Sequence, residues 1–224
     1  MKGTKLAAAV AALMLVSAPV AMAIDLKMPG AKPAAPAAGA EVDAVAMQEG
    51  IVQRYVEAAT YVNTAQTELA RAFELKDQVA ALEADAAYLK SGATVDKDAI
   101  KKQRELSDSV SAAIDKKIAE GANLSDEGRK HYVASLEPLG RGVSAASKLP
   151  AEASSFSDAA QAQIKTASLT EKAAVASKLS AGLYLAKEIP GFSTRTADSL
   201  KKIVTYAQNK GIPVSKDATA MIGM

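Results

Sequence analysis

The sequence predicts an all-α protein: an elongated antiparallel helical bundle in which one long N-terminal helix packs on several shorter helices. Three observations carry this. Apolar residues recur at spacings of three and four along most of the chain after residue 42. Ala, the best helix former, is abundant, while aromatic residues make up only 4% and Trp is absent. No run of alternating apolar and polar residues and no Asn-Gly or Asp-Gly turn marks a β-hairpin.

The first element is an address rather than part of the bundle. Lys2 and Lys5 precede the apolar run 6–16, Pro19 breaks it, and Ala21-Met22-Ala23 has the small–any–small form of a signal-peptide cleavage site. A bilayer span needs about 20 apolar residues, more than this run contains. Residues 1–23 are therefore expected to direct export, to the periplasm or medium, with cleavage near Ala23. Residues 24–41 carry Pro29, Pro33 and Pro36 among Ala and Gly. Repeated Pro fixes φ and removes donors, so an extended linker is expected. The helical-bundle domain then occupies residues 42–224.

The first bundle helix is expected to run without interruption to about Lys90. Ile51, Tyr55, Ala58, Val62, Ala65, Leu69, Ala72, Val79, Leu82, Ala86 and Leu89 form one stripe, interrupted only by Lys76, and Ser91-Gly92 ends it. Lys76 either lays its stem along the apolar surface or pairs with an acid on a facing helix. A second helix follows over about 96–120, with Asp96 and Asp98 in its first turn and Ile100, Leu106, Val110, Ile114 and Ile118 inward. Ser125 caps a third, lined by Tyr132, Leu136, Leu139, Val143 and Ala146. Pro138 with Gly140 and Gly142 predicts a kink in it, or a hinge, and Pro150 lies past its end. A shorter helix over 151–165 carries Phe156 and Ile164. Ser168 and Glu171 form a capping box opening a helix along Leu169, Ala173, Ala176, Leu179, Leu183 and Ala186, which Ile189-Pro190-Gly191 should stop. Ser193 or Thr194 would cap a last helix along Ala197, Leu200, Val204 and Ala207, ended by Gly211 and Pro213. Short connections make successive helices antiparallel neighbours.

Charge and composition narrow the function. The whole chain has 27 Lys and Arg against 25 Asp and Glu; residues 1–23 contain two Lys and no acid, leaving 25 of each afterwards. A neutral chain offers no global field for nucleic acid or anionic lipid. There is no Cys, so disulfides, a lipoprotein anchor, a c-type haem site and thiol chemistry are not expected. No span of the mature chain is apolar enough to cross a membrane.

The site readings are correspondingly bare: no catalytic, cofactor-binding or metal-ligating residue is expected. His131 is the only histidine, and Glu127 lies one turn before it, but two ligands do not close a metal site. A haem would need a buried Met partner, and Met28, Met47, Met221 and Met224 lie off the strong stripes. No nucleophile elbow, phosphate loop or zincin motif appears. A carboxylate pair assembled from two helices is the one catalytic device that sequence hides. The expectation is an exported, non-enzymatic helical-bundle protein acting through contacts with another cell-envelope component. The alternative is a carrier of a lipid or other hydrophobic small molecule, its cavity lined by tyrosines such as Tyr55, Tyr61, Tyr132 and Tyr184.

Overall fold

A computed structural model describes residues 43–91 and 95–221. The expected signal peptide and linker lie outside the described residues, as do Gly92, Met28 and Met224. The described residues form eight helices and no strand: α1 (Ala44–Ala72), α2 (Lys76–Lys90), α3 (Lys97–Ala119), α4 (Asp126–Ala146), α5 (Leu149–Thr166), α6 (Lys172–Lys178), α7 (Ser180–Asn209) and α8 (Lys216–Met221).

Three rods make the bundle. The first is α1, about 44 Å long at 1.5 Å per residue. Every stripe residue expected from Ile51 to Ala72 is buried in it. The second rod is α4 followed directly by α5. It runs antiparallel to α1, with Gly128 against Ala72, Gly142 against Val62, and Glu152 of α5 paired with Arg54. The third is α7, antiparallel to the second rod. Tyr132 donates to the Ile203 carbonyl at 2.8 Å and Ser193 to the Ala146 carbonyl at 2.7 Å. Consequently α7 runs parallel to α1, where Tyr55 meets Phe192 edge-on at 5.2 Å. The hairpin of α2 and α3 lies on the outside of α1.

The core falls into two apolar clusters. One joins α1, α5 and α7 around Ile51, Phe156, Leu185 and Ile189. The other surrounds Leu69, Phe73, Tyr132, Leu136, Leu200 and Tyr206. Phe73, Tyr132 and Tyr206 form an aromatic triad there, with centroids 5.3–6.0 Å apart. Between the clusters lies a layer of buried polar side chains, among them Asn63, Gln66, Gln103 and Thr196, while Ser135 is buried within the second cluster. Each has a hydrogen-bond partner, as burial requires.

Several boundaries differ from the sequence expectations. The stripe over 51–89 is two helices, broken at Phe73-Glu74-Leu75. Glu74 takes a left-handed φ of 58°. The Leu75 amide returns to the Ala70 carbonyl at 2.8 Å and the Glu74 amide to Arg71 at 3.1 Å, a Schellman termination. The same hydrogen-bond pattern closes α3 at Gly121 and α7 at Gly211. Past the break, α2 folds back on α1, and Leu82 is its one buried residue. Lys76 is exposed at the start of α2 and makes no ion pair among the described residues.

Farther on, Pro150 lies past the end of α4 as expected and falls in the first turn of α5, a position where the missing donor costs nothing. Pro190 does not stop a helix: α7 passes through it for 30 residues. An interior Pro costs about 3 kcal/mol, whereas Leu185, Ile189 and Phe192 around it each gain roughly 1.5–3 kcal/mol on burial. Ser193 and Thr194 are thus interior, and Ala197 is exposed while Thr196 is buried. The Ser168–Glu171 contact forms, with Oγ to Oε2 at 2.6 Å, but no long helix follows. Instead α6 spans seven residues, none of them buried, and Leu169 is 89% exposed. α4 continues through Pro138, and Gly142 faces α1 so closely that a Cβ would stand 3.0 Å from Val62 Cγ2. Residues 216–221, weakly patterned in sequence, form α8.

Candidate functional site: a cleft between α1, α3 and α7

Three helices running in the same direction, α1, α3 and α7, enclose a cleft of about 300 Å³ at the level of the polar layer. That is the small end of the range for small-molecule sites, about 300–1,000 Å³. Its existence follows from the sequence of α3. This helix rests on the bundle through Ile100, Val110 and Ile114 but turns Ser107, Ser111 and Ala112 into the cleft. Such small side chains do not reach α7, so the gap is bridged at its edge by ion pairs. Arg104 meets Glu188 at 2.7 Å, Arg195 meets Asp108 at 3.2 Å, and Lys202 meets Asp115. The last two are solvent-exposed, and exposed pairs contribute only about 0.2–1 kcal/mol each, while the Arg104–Glu188 pair is partly buried. The α3 edge is therefore the most weakly held wall.

The floor is apolar: Val62 and Leu69 from α1, Ile114 from α3, Leu139 from α4, and Phe192 and Ile203 from α7. Two amides stand in it. Gln66 is 5% exposed, and its Nε2 lies within 3.0 Å of the Ser107 carbonyl and of the Ser107 and Ser111 hydroxyls. The carbonyl contact fixes which end of that amide donates. Gln103 is 6% exposed, and its Oε1 accepts from Tyr55 Oη at 2.6 Å. Burial pushes the Tyr55 phenol well above its ordinary pKa, which keeps it a neutral donor. Gln66 Oε1 and Gln103 Nε2 have no hydrogen-bond partner among the described residues but are not sealed from solvent, whereas Arg104 Nε is buried without a partner. Of the charges lining the mouth, Arg195 pairs with Asp108 and Lys202 with Asp115, Arg104 reaches Glu188 through a terminal guanidinium nitrogen, and Asp198 makes no ion pair among the described residues.

The residues singled out in sequence lie elsewhere. His131 is half-buried between α1 and α4, its Nδ1 donating to Glu68 Oε2 at 2.6 Å, with Glu127 Oε1 3.8 Å from Nε2. The Glu68 carboxylate is shared with Arg71, which also reaches Glu83 on α2 at 2.7 Å, so this is a structural tie across three helices. Among the described residues no three His, Cys, Asp or Glu side chains group as metal ligands, and no helix is long and apolar enough to cross a membrane. The four tyrosines do not share a cavity. Tyr55 lines the cleft, Tyr132 belongs to the aromatic triad, Tyr61 lies under Arg141, and Tyr184 under Lys97. Sequence reading missed Gln66, Gln103, Ser107 and Ser111. A signal was present: Gln103 stands three residues after Ile100 and seven before Val110, on the inward face of α3.

No protein-family model matches this chain, and no curated protein or solved structure matches it either. The site has to be read from its own chemistry.

Proposed function

We propose that this chain is an exported, non-enzymatic binding protein that carries a small, largely hydrophobic molecule in the cleft between α1, α3 and α7. One observation carries the reading: a cavity with an apolar floor into whose lining Arg104 brings a side-chain nitrogen, Nε, that is buried without a hydrogen-bond partner. A buried donor without a partner costs about 1–3 kcal/mol, more for a charged group, and a ligand acceptor that satisfies it recovers that cost. The signal-peptide pattern over 1–23 supports a location outside the cytoplasm. Native mass spectrometry of protein isolated from the producing cells tests the reading. A small-molecule adduct, or uptake of one from a cellular lipid extract, is the expected result. Protein that is empty and stays empty refutes it. N-terminal sequencing that begins at Ile24 checks the export step.

A second reading is contact with another envelope component, and α6 favours it. That helix touches the core only through the half-buried Val175, and the neighbouring Leu169 is 89% exposed. A photo-crosslinker at position 169 in whole cells, compared with one at Lys116, tests it. A discrete adduct formed only at 169 supports contact, and only free monomer at both positions counts against it.

A further inference from the structure

We infer that the cleft takes a small amphiphile with a carboxylate head, which Arg104 grips through Nε and Nη2, and an apolar tail laid toward Ile114 and Ile203. The inference rests on the carrier reading and adds the chemistry of its ligand.

Arg104 is the lining cation whose donors are only partly used. Gln103, the residue before it, is buried and tied to Tyr55 at 2.6 Å, which fixes the rotation of α3 and turns Arg104 toward α7. There Nη1 donates to Glu188 Oε2 at 2.7 Å. Nε is buried without a partner, and Nη2 makes no hydrogen bond among the described residues. The planar guanidinium holds Nε–H and the adjacent Nη2–H side by side in every rotamer. Such a fork matches the two oxygens of a carboxylate, whereas a neutral carbonyl brings one oxygen to two donors. A cationic head would meet the guanidinium itself. Asp198, which makes no ion pair among the described residues, stands about 15 Å along α7 from Glu188, too far to offset that repulsion. Arg195 and Lys202 are already held by Asp108 and Asp115, so neither competes for the head.

Water does not substitute for the ligand, because Nε has no surface open to it. The head reaches the fork as the α3 edge parts from α7, and the two pairs that close the edge beyond Arg104 are exposed and weak. Glu188 is partly exposed, so solvent reduces its repulsion of a second carboxylate. The tail rests on Leu69, Ile114, Leu139, Phe192 and Ile203.

A matched series isolates the head group: phenylacetate, phenylacetamide, phenethylamine and ethylbenzene, each titrated into the protein and followed by amide NMR shifts. Saturable shifts within 103–115 and 192–203, with phenylacetate bound at least tenfold more tightly than the other three, are expected. Arg104→Lys keeps the positive charge beside Glu188 but lacks the fork. It should reduce the preference for phenylacetate over ethylbenzene to less than threefold while leaving ethylbenzene affinity within about twofold. Ala112→Trp fills the cleft and should abolish shifts from every probe, with far-UV circular dichroism confirming the fold of both variants. Preference for the amide, the amine or ethylbenzene overturns the ligand class while leaving a binding cleft in place, and a phenylacetate preference that survives Arg104→Lys overturns the role of the fork. No saturable shift from any probe overturns both readings, as does binding that survives Ala112→Trp.

Discussion

The closeness of α1 and α4 makes one substitution chemistry change sign between two sites. Gly50 lies inside α1, and an added Cβ would meet nothing within 4 Å. Gly50→Ala should therefore stabilise by roughly 0.5–1 kcal/mol, because Ala restricts the unfolded chain and favours helix. Gly128 lies in the first turn of α4, where a Cβ would stand 2.7 Å from the Ala72 carbonyl oxygen and 3.2 Å from Ser125 Oγ. The obstacle at 2.7 Å is backbone at the end of α1, so relief requires α4 to slide off α1. Overpacking of that kind costs about 1–3 kcal/mol. The same helix-propensity gain offsets part of it, leaving a net loss of about 1–2 kcal/mol. The two variants should thus differ by about 2 kcal/mol, or roughly 4–8 °C in midpoint for a chain of this size. Thermal and urea denaturation followed at 222 nm read both. A Gly128→Ala protein as stable as the parent, or a destabilised Gly50→Ala, would refute the reasoning about space.

Tyr132→Phe removes a buried donor to the Ile203 carbonyl, and urea midpoints should report a loss of about 1 kcal/mol with the triad otherwise intact. Burial raises the Asp85 pKa, against the lowering effect of the Asn63 amide, so its folded form holds the proton more tightly than its unfolded form. Its stabilising contribution is therefore present below the unfolded value and lost as pH rises through the folded one. Asp85→Asn should be at least as stable as the parent at pH 7, and stability curves should show that advantage disappearing on acidification below about pH 4. A double-mutant cycle on Asp108 and Arg195 should give a coupling below about 1 kcal/mol that shrinks in 0.5 M salt, measured by chemical denaturation. Glu74→Gly relieves a left-handed residue and should raise the thermal midpoint by the equivalent of roughly 1 kcal/mol.

The fold class was legible because the stripes of α1, α3 and α4 obey a single period, and each of those faces is buried as a unit. Termination was legible only where a residue type announces it. Gly121 and Gly211 occupy left-handed positions that glycine favours, and both ends were expected. Glu74 adopts the same conformation with a side chain that gives no sign of it, so the stripe continued on paper where the chain reverses. Pro190 misled in the opposite direction: local chemistry argued for a stop, while the apolar neighbours on either side hold the helix together through tertiary burial. Leu169 illustrates a third limit, since a capping box specifies a helix start but not a surface to cover. The cleft was invisible for a related reason. Whether Ser107 and Ser111 face solvent or a cavity depends on how far α3 stands from α7, and no single helix encodes that distance. The partner of His131, Glu68, is 63 residues away, so nothing in the residues around the histidine announces the contact.

The polar layer divides the core, yet α1 passes through it without a proline or a break. Loosening one end of the molecule leaves the middle of that helix anchored by the other end. Its central amides, around residues 62–70, can then exchange with deuterated water only when both halves open together. They should report the global unfolding free energy, while the outer turns report local opening.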